Sequence, residues 1–288
     1  MLSFITNYWW AILIGLILMI IIVIFFGNVQ MNKNISREIN ILMEGVNNNQ
    51  ENDELIDEDD LKELPFSVQN WLKDVGILGQ KKIKAVTLSQ KGKMKLNPDQ
   101  KNWYEAEAEQ HIRVDIPGYL WQVNIPMFKI LNIKGRDLFI NGEGAMEIRI
   151  ASLIPVVNEN GNKKIDESSL HRFLMELPWY PTAAIEDYIS WEEVSGETAK
   201  ATMNYKGMSV EAKFYFSENG NLKKIESLRY KETDKDAKRI PCIGEIKGYT
   251  MVDGLKIPNI IDITWIIDKE PFTWYKLENY NMNFVRKE

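Results

Sequence analysis

The residue types best suited to chemistry fall in one short segment, residues 169–177, which contains a histidine, an arginine and a glutamate. Arg172 and Glu176 are one helical turn apart, so their side chains can pair on the surface of a helix. A glutamate beside an arginine and a histidine can serve as a general acid or base. The same spacing suits a structural ion pair on a helix that closes over a barrel, with Trp179 and Trp191 in the core.

Other chemistry-bearing patterns are missing from the sequence. It contains no G-x-S-x-G elbow, no P-loop and no C-x-x-C pair, and its only histidines are His111 and His171. Cys242 is the single cysteine, which excludes an intramolecular disulfide, and no partner base is visible beside it. We therefore expect no metal and no cofactor, and the sequence leans away from an enzyme.

Alternating apolar and polar residues predict that a β-sheet positions this segment. Residues 86–96 and 104–114 alternate on either side of an Asn-Pro-Asp-Gln turn, which predicts a hairpin. In that hairpin Lys93 lies opposite Glu105, as expected for a solvated face. The other face carries Gln90 and Gln110 among apolar neighbours. Because buried amides need partners, these two mark either an internal hydrogen-bond network or the wall of a polar-spotted cavity.

Further alternation extends this pattern through most of the chain. A short helix is predicted from Pro65 to Gly76, a helical stretch over residues 167–189 and a turn over residues 158–162. Strands are predicted over residues 119–123, 127–140, 145–152, 191–194, 197–205, 209–216, 222–231, 257–267 and 272–284. The predicted fold is α+β and strand-dominated, a curled antiparallel sheet or half-barrel with a few short helices.

A run from Tyr8 to Phe26 contains no charge and is interrupted only by Gly15. At about 1.5 Å per residue it spans roughly 28 Å, close to the hydrocarbon thickness of a bilayer. Trp9 and Trp10 sit at one end, where amphipathic rings prefer the headgroup level. Residues 1–30 are therefore predicted to form a transmembrane anchor of a single-pass cell-membrane protein, with the lipid bilayer as its partner.

A cleaved signal peptide is the alternative, and residues 1–7 lack the basic residues that such a peptide carries. Lys33 and Arg37 follow the run. By the positive-inside rule they favour a cytoplasmic domain, while two charges leave the side of the membrane open. The formal net charge of -6 argues against a nucleic-acid partner.

Residues 31–63 are predicted to form an amphipathic stalk followed by an acidic tether. Apolar residues recur at helical spacing in the stalk, which either docks onto the protein's own domain or the lipid surface, or self-associates. They are Ile35, Ile39, Leu42, Met43 and Val46. Residues 47–63 are polar and acidic, so we expect an extended tether that holds the domain away from the lipid. Residues 64–288 are predicted to form a single β-rich domain.

The chain also resembles an uncharacterised bacterial family that is known only as a domain of unknown function and is often preceded by membrane spans. The most specific match is Leu170-x-Arg172-Phe173-Leu174-x-Glu176-x-x-Trp179-Tyr180-Pro181-Thr182. Supporting matches are Leu64-Pro65, Trp71-Leu72, Gly76, Gln90-x-Gly92-x-Met94, Trp103, Gln110, Gly135-Arg136-Asp137, Gly142-x-Gly144-x-Met146 and Arg229-Tyr230. The resemblance implies a fold similar to the curled-sheet lipoprotein carriers of the LolA type, and it implies no activity and no catalytic residues.

Three functions remain open from the sequence. The first is a binding module for a lipid or other hydrophobic ligand, and the second is a structural or interaction protein at the membrane. The third is a hydrolase-type enzyme that uses Glu176 and Arg172, with Asp137 as a further candidate. For the first function, the candidate cavity or lid residues are Gln90, Gln110, Trp121, Arg172, Glu176, Trp179 and Tyr180.

Overall fold

The computed structural model describes residues 2–46, 54–127 and 132–286, with side chains from residue 9 onward. Three α-helices lie in these ranges: α1 (Leu2–Leu42), α2 (Phe66–Val75) and α3 (Lys163–Met175). The strands are β1 (Ile83–Met94), β2 (Tyr104–Arg113), β3 (Gly118–Pro126), β4 (Asn132–Ile140), β5 (Glu143–Ile150), β6 (Ile154–Asn160), β7 (Ile189–Ser195), β8 (Thr198–Tyr205), β9 (Met208–Phe216), β10 (Leu222–Tyr230), β11 (Arg239–Val252), β12 (Leu255–Ile267) and β13 (Glu270–Arg286).

All thirteen described strands form one antiparallel sheet, in which β1 pairs with β13 at the centre and β6 and β7 are the edges. A twisted sheet of this size curls rather than staying flat. The curl brings its two halves together, because the rings of Phe139 on β4 and Tyr205 on β8 lie 6.1 Å apart. The predicted fold class, a strand-dominated curled antiparallel sheet or half-barrel, is confirmed, and the sheet does not close.

The β1–β2 hairpin has the predicted register. Lys93 pairs across the strands with Glu105 and Lys91 with Glu107. The Lys93 ammonium lies 3.5 Å from the Glu105 carboxylate, whereas Lys91 contacts Glu278 on β13 at 3.1 Å. The charged rows therefore form a solvated outer face, as predicted.

Two strands have no counterpart among the predicted elements. β6 includes part of the stretch predicted as a turn at residues 158–162, and it contains Pro155, which an edge strand tolerates because one side of its ladder is unpaired. β11 contains Pro241, Gly244 and Gly248, which interrupt the apolar alternation, and its register shifts beside Gly248. In both strands the pairing partner overrides a weak local pattern.

Helix α2 packs against the second half of the sheet, as its apolar face predicts. Val68, Trp71, Leu72 and Val75 are all buried, and Gly76 ends the helix with a φ of 90°. The Trp71 ring contacts the aromatic rings of three other residues, on β7 and β9. They are Trp191 at 6.3 Å, Phe214 at 6.1 Å and Phe216 at 5.9 Å.

The C-terminal part of α1 lies on the convex face of the sheet. Met31, Ile35 and Leu42 are buried against Leu120 of β3. The end of the helix is capped by Arg113 of β2, whose Nη1 donates to the carbonyl of Glu44 at 2.6 Å. Of the two interpretations of the stalk, docking onto the protein's own domain is therefore what the structure shows.

The predicted acidic tether is wrong for residues 54–63, because this segment folds onto the domain. Ile56 and Leu61 are 3% and 0% exposed. The backbone N–H of Ile56 donates to the carbonyl of Gln80 at 2.9 Å, and the N–H of Gly79 donates back to Ile56 at 2.8 Å. Two apolar side chains and this pairing outweigh the repulsion among the carboxylates. The rest of the predicted tether, residues 47–53, lies outside the described residues.

Replacing Trp71 by alanine tests the packing of α2. The change Trp71→Ala removes a fully buried indole from a cluster of rings, so the free energy of unfolding should fall by about 3 to 5 kcal/mol. Chemical denaturation of the full chain in detergent measures this loss. The matched control is Phe66→Ala on the same helix, where the side chain is 68% exposed. Equal losses in the two variants would contradict the packing described here.

Candidate functional site

Helix α3 crosses the concave face between the two halves of the sheet. It begins at Asn162, whose side chain accepts a hydrogen bond from the N–H of Lys164 at 2.9 Å. On one side it lies against β5 so closely that a Cβ on Gly144 would come within 2.6 Å of the Ser169 hydroxyl. On the other side the Ser168 hydroxyl donates to the carbonyl of Tyr230 on β10 at 2.6 Å.

Arg172 is the centre of a polar network beneath this helix. Its Nη1 donates to the Asp137 carboxylate of β4 at 2.6 Å, and its Nε donates to the Glu176 carboxylate at 2.7 Å. The guanidinium also lies over two aromatic rings of β3, 4.9 Å from Tyr119 and 5.0 Å from Trp121. Two carboxylates and two ring faces therefore hold one cation in place.

Gln110 on β2 completes the first part of the network. Its Nε2 donates to the second oxygen of Glu176 at 2.6 Å, and its Oε1 accepts from Arg172 Nη2 at 3.4 Å. The amide therefore bridges the two charged side chains of α3 and ties them to the sheet. Of the two interpretations of the buried glutamines, an internal hydrogen-bond network is observed at this position.

Gln90 on β1 forms the second part of the network. Its Oε1 accepts from the Trp121 indole N–H at 2.8 Å and from the Tyr275 hydroxyl at 3.3 Å. Its Nε2 donates to Asn279 Oδ1 at 2.9 Å. Trp121 thus joins the two parts, since its ring lies under Arg172 and its N–H reaches Gln90. Five of the seven predicted site residues meet here.

The network carries one cation and two carboxylates. Burial by itself lowers the pKa of Arg172, but the carboxylates of Glu176 and Asp137 raise it above its ordinary value, so the guanidinium stays charged. Burial, with a contribution from Asp137, raises the pKa of Glu176 although Arg172 and Gln110 oppose this shift. The arrangement suits a proton-binding carboxyl as well as a structural clamp.

His171, which the sequence places near Arg172 and Glu176, lies outside their network. The ring of His171 makes its hydrogen bond through Nδ1 to the carbonyl of Glu167, at 3.0 Å. Its environment includes Glu167 and the two arginines Arg229 and Arg239. The structure therefore does not place His171 in the network of Arg172 and Glu176, and this weakens the hydrolase interpretation.

The last two predicted site residues seal one end of the sheet. Tyr180 is fully buried, its ring centroid lies 5.0 Å from that of Phe173, and its hydroxyl donates to the Phe173 carbonyl. Trp179 is 4% exposed in the same core. The following segment reaches the start of β1, where Thr182 Oγ1 accepts from the N–H of Ile83 at 2.9 Å. A ligand-binding role for these two residues stays a prediction.

Asn279 was missed in the sequence. It lies opposite Gln90 in the β1–β13 register and is 2% exposed, and its Nδ2 has no hydrogen-bond partner among the described residues. Residues 275, 277 and 279 lie on the same, inward face of β13. A polar residue in that row was the available signal for a site residue. A buried unpaired donor costs stability unless a ligand or water meets it.

Part of the concave face is apolar and only partly covered. Four inward-facing isoleucines on β4, β5, β11 and β12 are half-buried: Ile133, Ile148, Ile246 and Ile263. Gly244 on β11 faces the same side. Among the described residues, a Cβ there would meet only the Ile263 side chain, at an ordinary 3.7 Å. Gly244 is itself buried, so the structure has space for a side-chain atom beneath the groups that cover this glycine.

Comparison with known proteins identifies the class. The family of unknown function (DUF6920) matches residues 62–284, and the chain belongs to this family. The membership predicted from the sequence is therefore confirmed. No curated protein matches the chain at a significant level.

The solved structures that are similar include a LolA superfamily protein, NE2245, from Nitrosomonas europaea. The similarity has a TM-score of 0.41 at 10% sequence identity, and it covers 75% of this chain and 92% of that chain.

Removing the cation should destabilise the domain, and removing the whole charged group should restore much of the loss. Arg172→Met leaves the carboxylates of Asp137 and Glu176 buried without a cation, which should cost about 3 to 5 kcal/mol of unfolding free energy. The triple variant Arg172→Met, Asp137→Asn, Glu176→Gln is expected to recover most of that loss in chemical denaturation. A triple variant as unstable as the single variant would show that charge pairing is not what holds α3.

A pH dependence should follow from His171. Burial and, secondarily, Arg229 lower its pKa from 6.5 to about 4, so the folded protein binds this proton less readily than the unfolded chain. The stability that the neutral ring contributes is complete above pH 6.5 and is lost as the pH falls toward 4. The loss should approach about 3 kcal/mol.

This dependence can be measured by denaturation across that range in a His111→Asn background, which leaves one histidine. The difference in unfolding free energy between this protein and its His171→Asn derivative should shrink as the pH falls. A constant difference would mean that the ring is solvated.

Proposed function

We propose that the protein is a membrane-held binding module whose concave face accepts an apolar ligand such as a lipid acyl chain. The observation that carries this proposal is the space above Gly244, beside the half-buried Ile263. A packed β-rich core normally fills such positions with its own side chains. A lipid chain would cover the inward-facing isoleucines, and an acceptor on the lipid would satisfy the Nδ2 of Asn279.

Helix α1 supports the membrane part of the proposal. It contains one stretch, Trp9–Leu42, that is long and apolar enough to cross a bilayer, and the most apolar window of this stretch has no residue buried inside the protein. Large side chains such as Leu18 and Phe25 are 54% and 61% exposed. Because water is a poor environment for such a helix, lipid is its natural surrounding. The side of the membrane on which the domain lies stays a prediction, and the positive-inside rule favours the cytoplasmic side.

The Arg172 network fits the same function in a supporting role. Arg172 and Glu176 use their hydrogen-bonding groups on each other, on Asp137 and on Gln110. A hydrolytic site needs a nucleophile or a positioned water beside its acid or base, and these four side chains are satisfied among themselves. The network therefore holds α3 over the concave face and leaves the apolar part of that face for a ligand.

Photocrosslinking tests the proposal directly. Full-length protein in membranes that contain a phospholipid with a diazirine in one acyl chain is irradiated, and the adducts are located by peptide mass spectrometry. We expect adducts on β4, β5, β11 and β12 in addition to α1. Gly244→Phe should reduce the adducts on the sheet several-fold, because the new ring occupies the space above the glycine.

The matched control is Ile243→Phe, at the neighbouring position on the same strand, whose side chain faces the convex side. It should leave the adducts on the concave strands unchanged. Adducts confined to α1 in the parent protein, or equal labelling of the Gly244→Phe variant and the parent, would overturn the proposal. The thermal unfolding of both variants is measured in parallel, so that a loss of labelling is read only from folded protein.

A further inference from the structure

The hairpin between β5 and β6 meets α1 at the level where the apolar run of that helix ends. We infer that the tip of this hairpin, residues 150–156, is a second membrane contact that inserts its apolar side chains into the lipid surface. The inference deepens the proposed function and rests on its membrane-spanning helix. It concerns a different part of the molecule from the space above Gly244.

The position of the hairpin follows from one close contact. A Cβ on Gly27 would lie 2.4 Å from Cδ2 of Leu153, so the helix and the hairpin tip touch at this glycine. The Ser152 hydroxyl donates to Asn28 Oδ1 at 3.0 Å in the same place. The apolar run ends at Phe26, one residue earlier, which is about 1.5 Å along the helix axis. A membrane that covers Phe26 therefore reaches the hairpin tip.

The side chains at the tip are those a lipid surface would accept. Ile150, Ile154 and Val156 are 36%, 61% and 52% exposed. Ile150 and Ile154 form a cluster, because they pair in the β5–β6 ladder. Other exposed apolar residues, such as Met251 and Leu228, lie on different strands and need no partner.

The cluster also continues the apolar part of the concave face. Ile150 lies opposite Ile133 in the β4–β5 register, and Ile133 is one of the half-buried inward-facing isoleucines. The tip of the hairpin is thus the outer end of the same apolar surface. A lipid chain that entered from the bilayer would pass from Ile154 to Ile133 without crossing water.

The turn is held in place at an energetic cost. Ala151 and Ser152 have φ values of 52° and 56°, a left-handed conformation that costs about 1 kcal/mol or more for residues with a side chain. The N–H of Ala151 donates to the carbonyl of Asn132 at 2.8 Å, and Ser152 bonds α1. The neighbouring strand and the helix therefore fix the turn, which points its isoleucines in one direction.

Site-directed spin labelling tests the inference with the full chain in vesicles of phosphatidylcholine and phosphatidylglycerol. Nitroxide labels are placed by Ile154→Cys and Val156→Cys, with Cys242 left in place because it is 1% exposed. The control Met251→Cys places a label at a side chain that is 65% exposed on another hairpin. A label at Ile14→Cys reports whether α1 is in lipid.

Collision of each label with oxygen and with a water-soluble nickel complex gives its depth. We expect the labels at positions 154 and 156 to favour oxygen over nickel, as the label at position 14 does, and the label at 251 to favour nickel. The inference is overturned if positions 154 and 156 match position 251 while position 14 is in lipid; the ligand-binding proposal then stands. It is also overturned if position 14 is in water, or if dipolar broadening shows labels of two chains in contact at position 154.

Discussion

The guanidinium of Arg172 is the contact on which the arrangement of the domain depends. A curled sheet of thirteen described strands has a concave face that one helix must cover, and α3 reaches both halves of it. Asp137 and Gln110 bind the helix to β4 and β2, while Ser168 binds it to β10. A buried ion pair gives little net stability, because desolvation offsets the attraction, but its directional hydrogen bonds specify one placement of the helix. This placement leaves the apolar part of the concave face partly uncovered.

The docking of α1 is the second constraint, and in the proposed function it determines how the domain meets a bilayer. A tether would let the domain take any distance from the lipid, as the acidic stretch before residue 64 predicts. Instead the helix lies along the convex face from Gly27 to Leu42, where Glu38 pairs with Arg136 at 3.4 Å and Arg113 caps the helix end. Because α1 is one continuous helix, the orientation of the domain follows that of the apolar N-terminal part of α1.

Much of the fold could be predicted from the sequence, because local patterns and long-range pairing agree over most strands. The β1–β2 register follows from strict alternation, and α2 follows from its apolar face and Gly76. The edge strand β6 and the glycine-interrupted β11 could not be predicted, because their own residues alternate weakly and it is pairing with the adjoining strands that makes them extended. The contact of Arg172 with Gln110 could not be predicted for a different reason: spacing predicts the pair of Arg172 with Glu176, but only the curl of the sheet brings β2 beneath the helix.

The two constraints together explain why polar and apolar groups divide the concave face. One end is sealed by the segment after α3, where Thr182 bonds the start of β1 and Tyr180 is fully buried. The other end of β4 and β5 carries Ile133 and Ile150 and lies beside Gly27. In the proposed function a ligand therefore enters from the membrane and stops at the buried polar network, since an acyl chain gains nothing by displacing paired charges. In that function the sealed end, the Arg172 network and helix α1 together define one route for a ligand from the bilayer into the sheet.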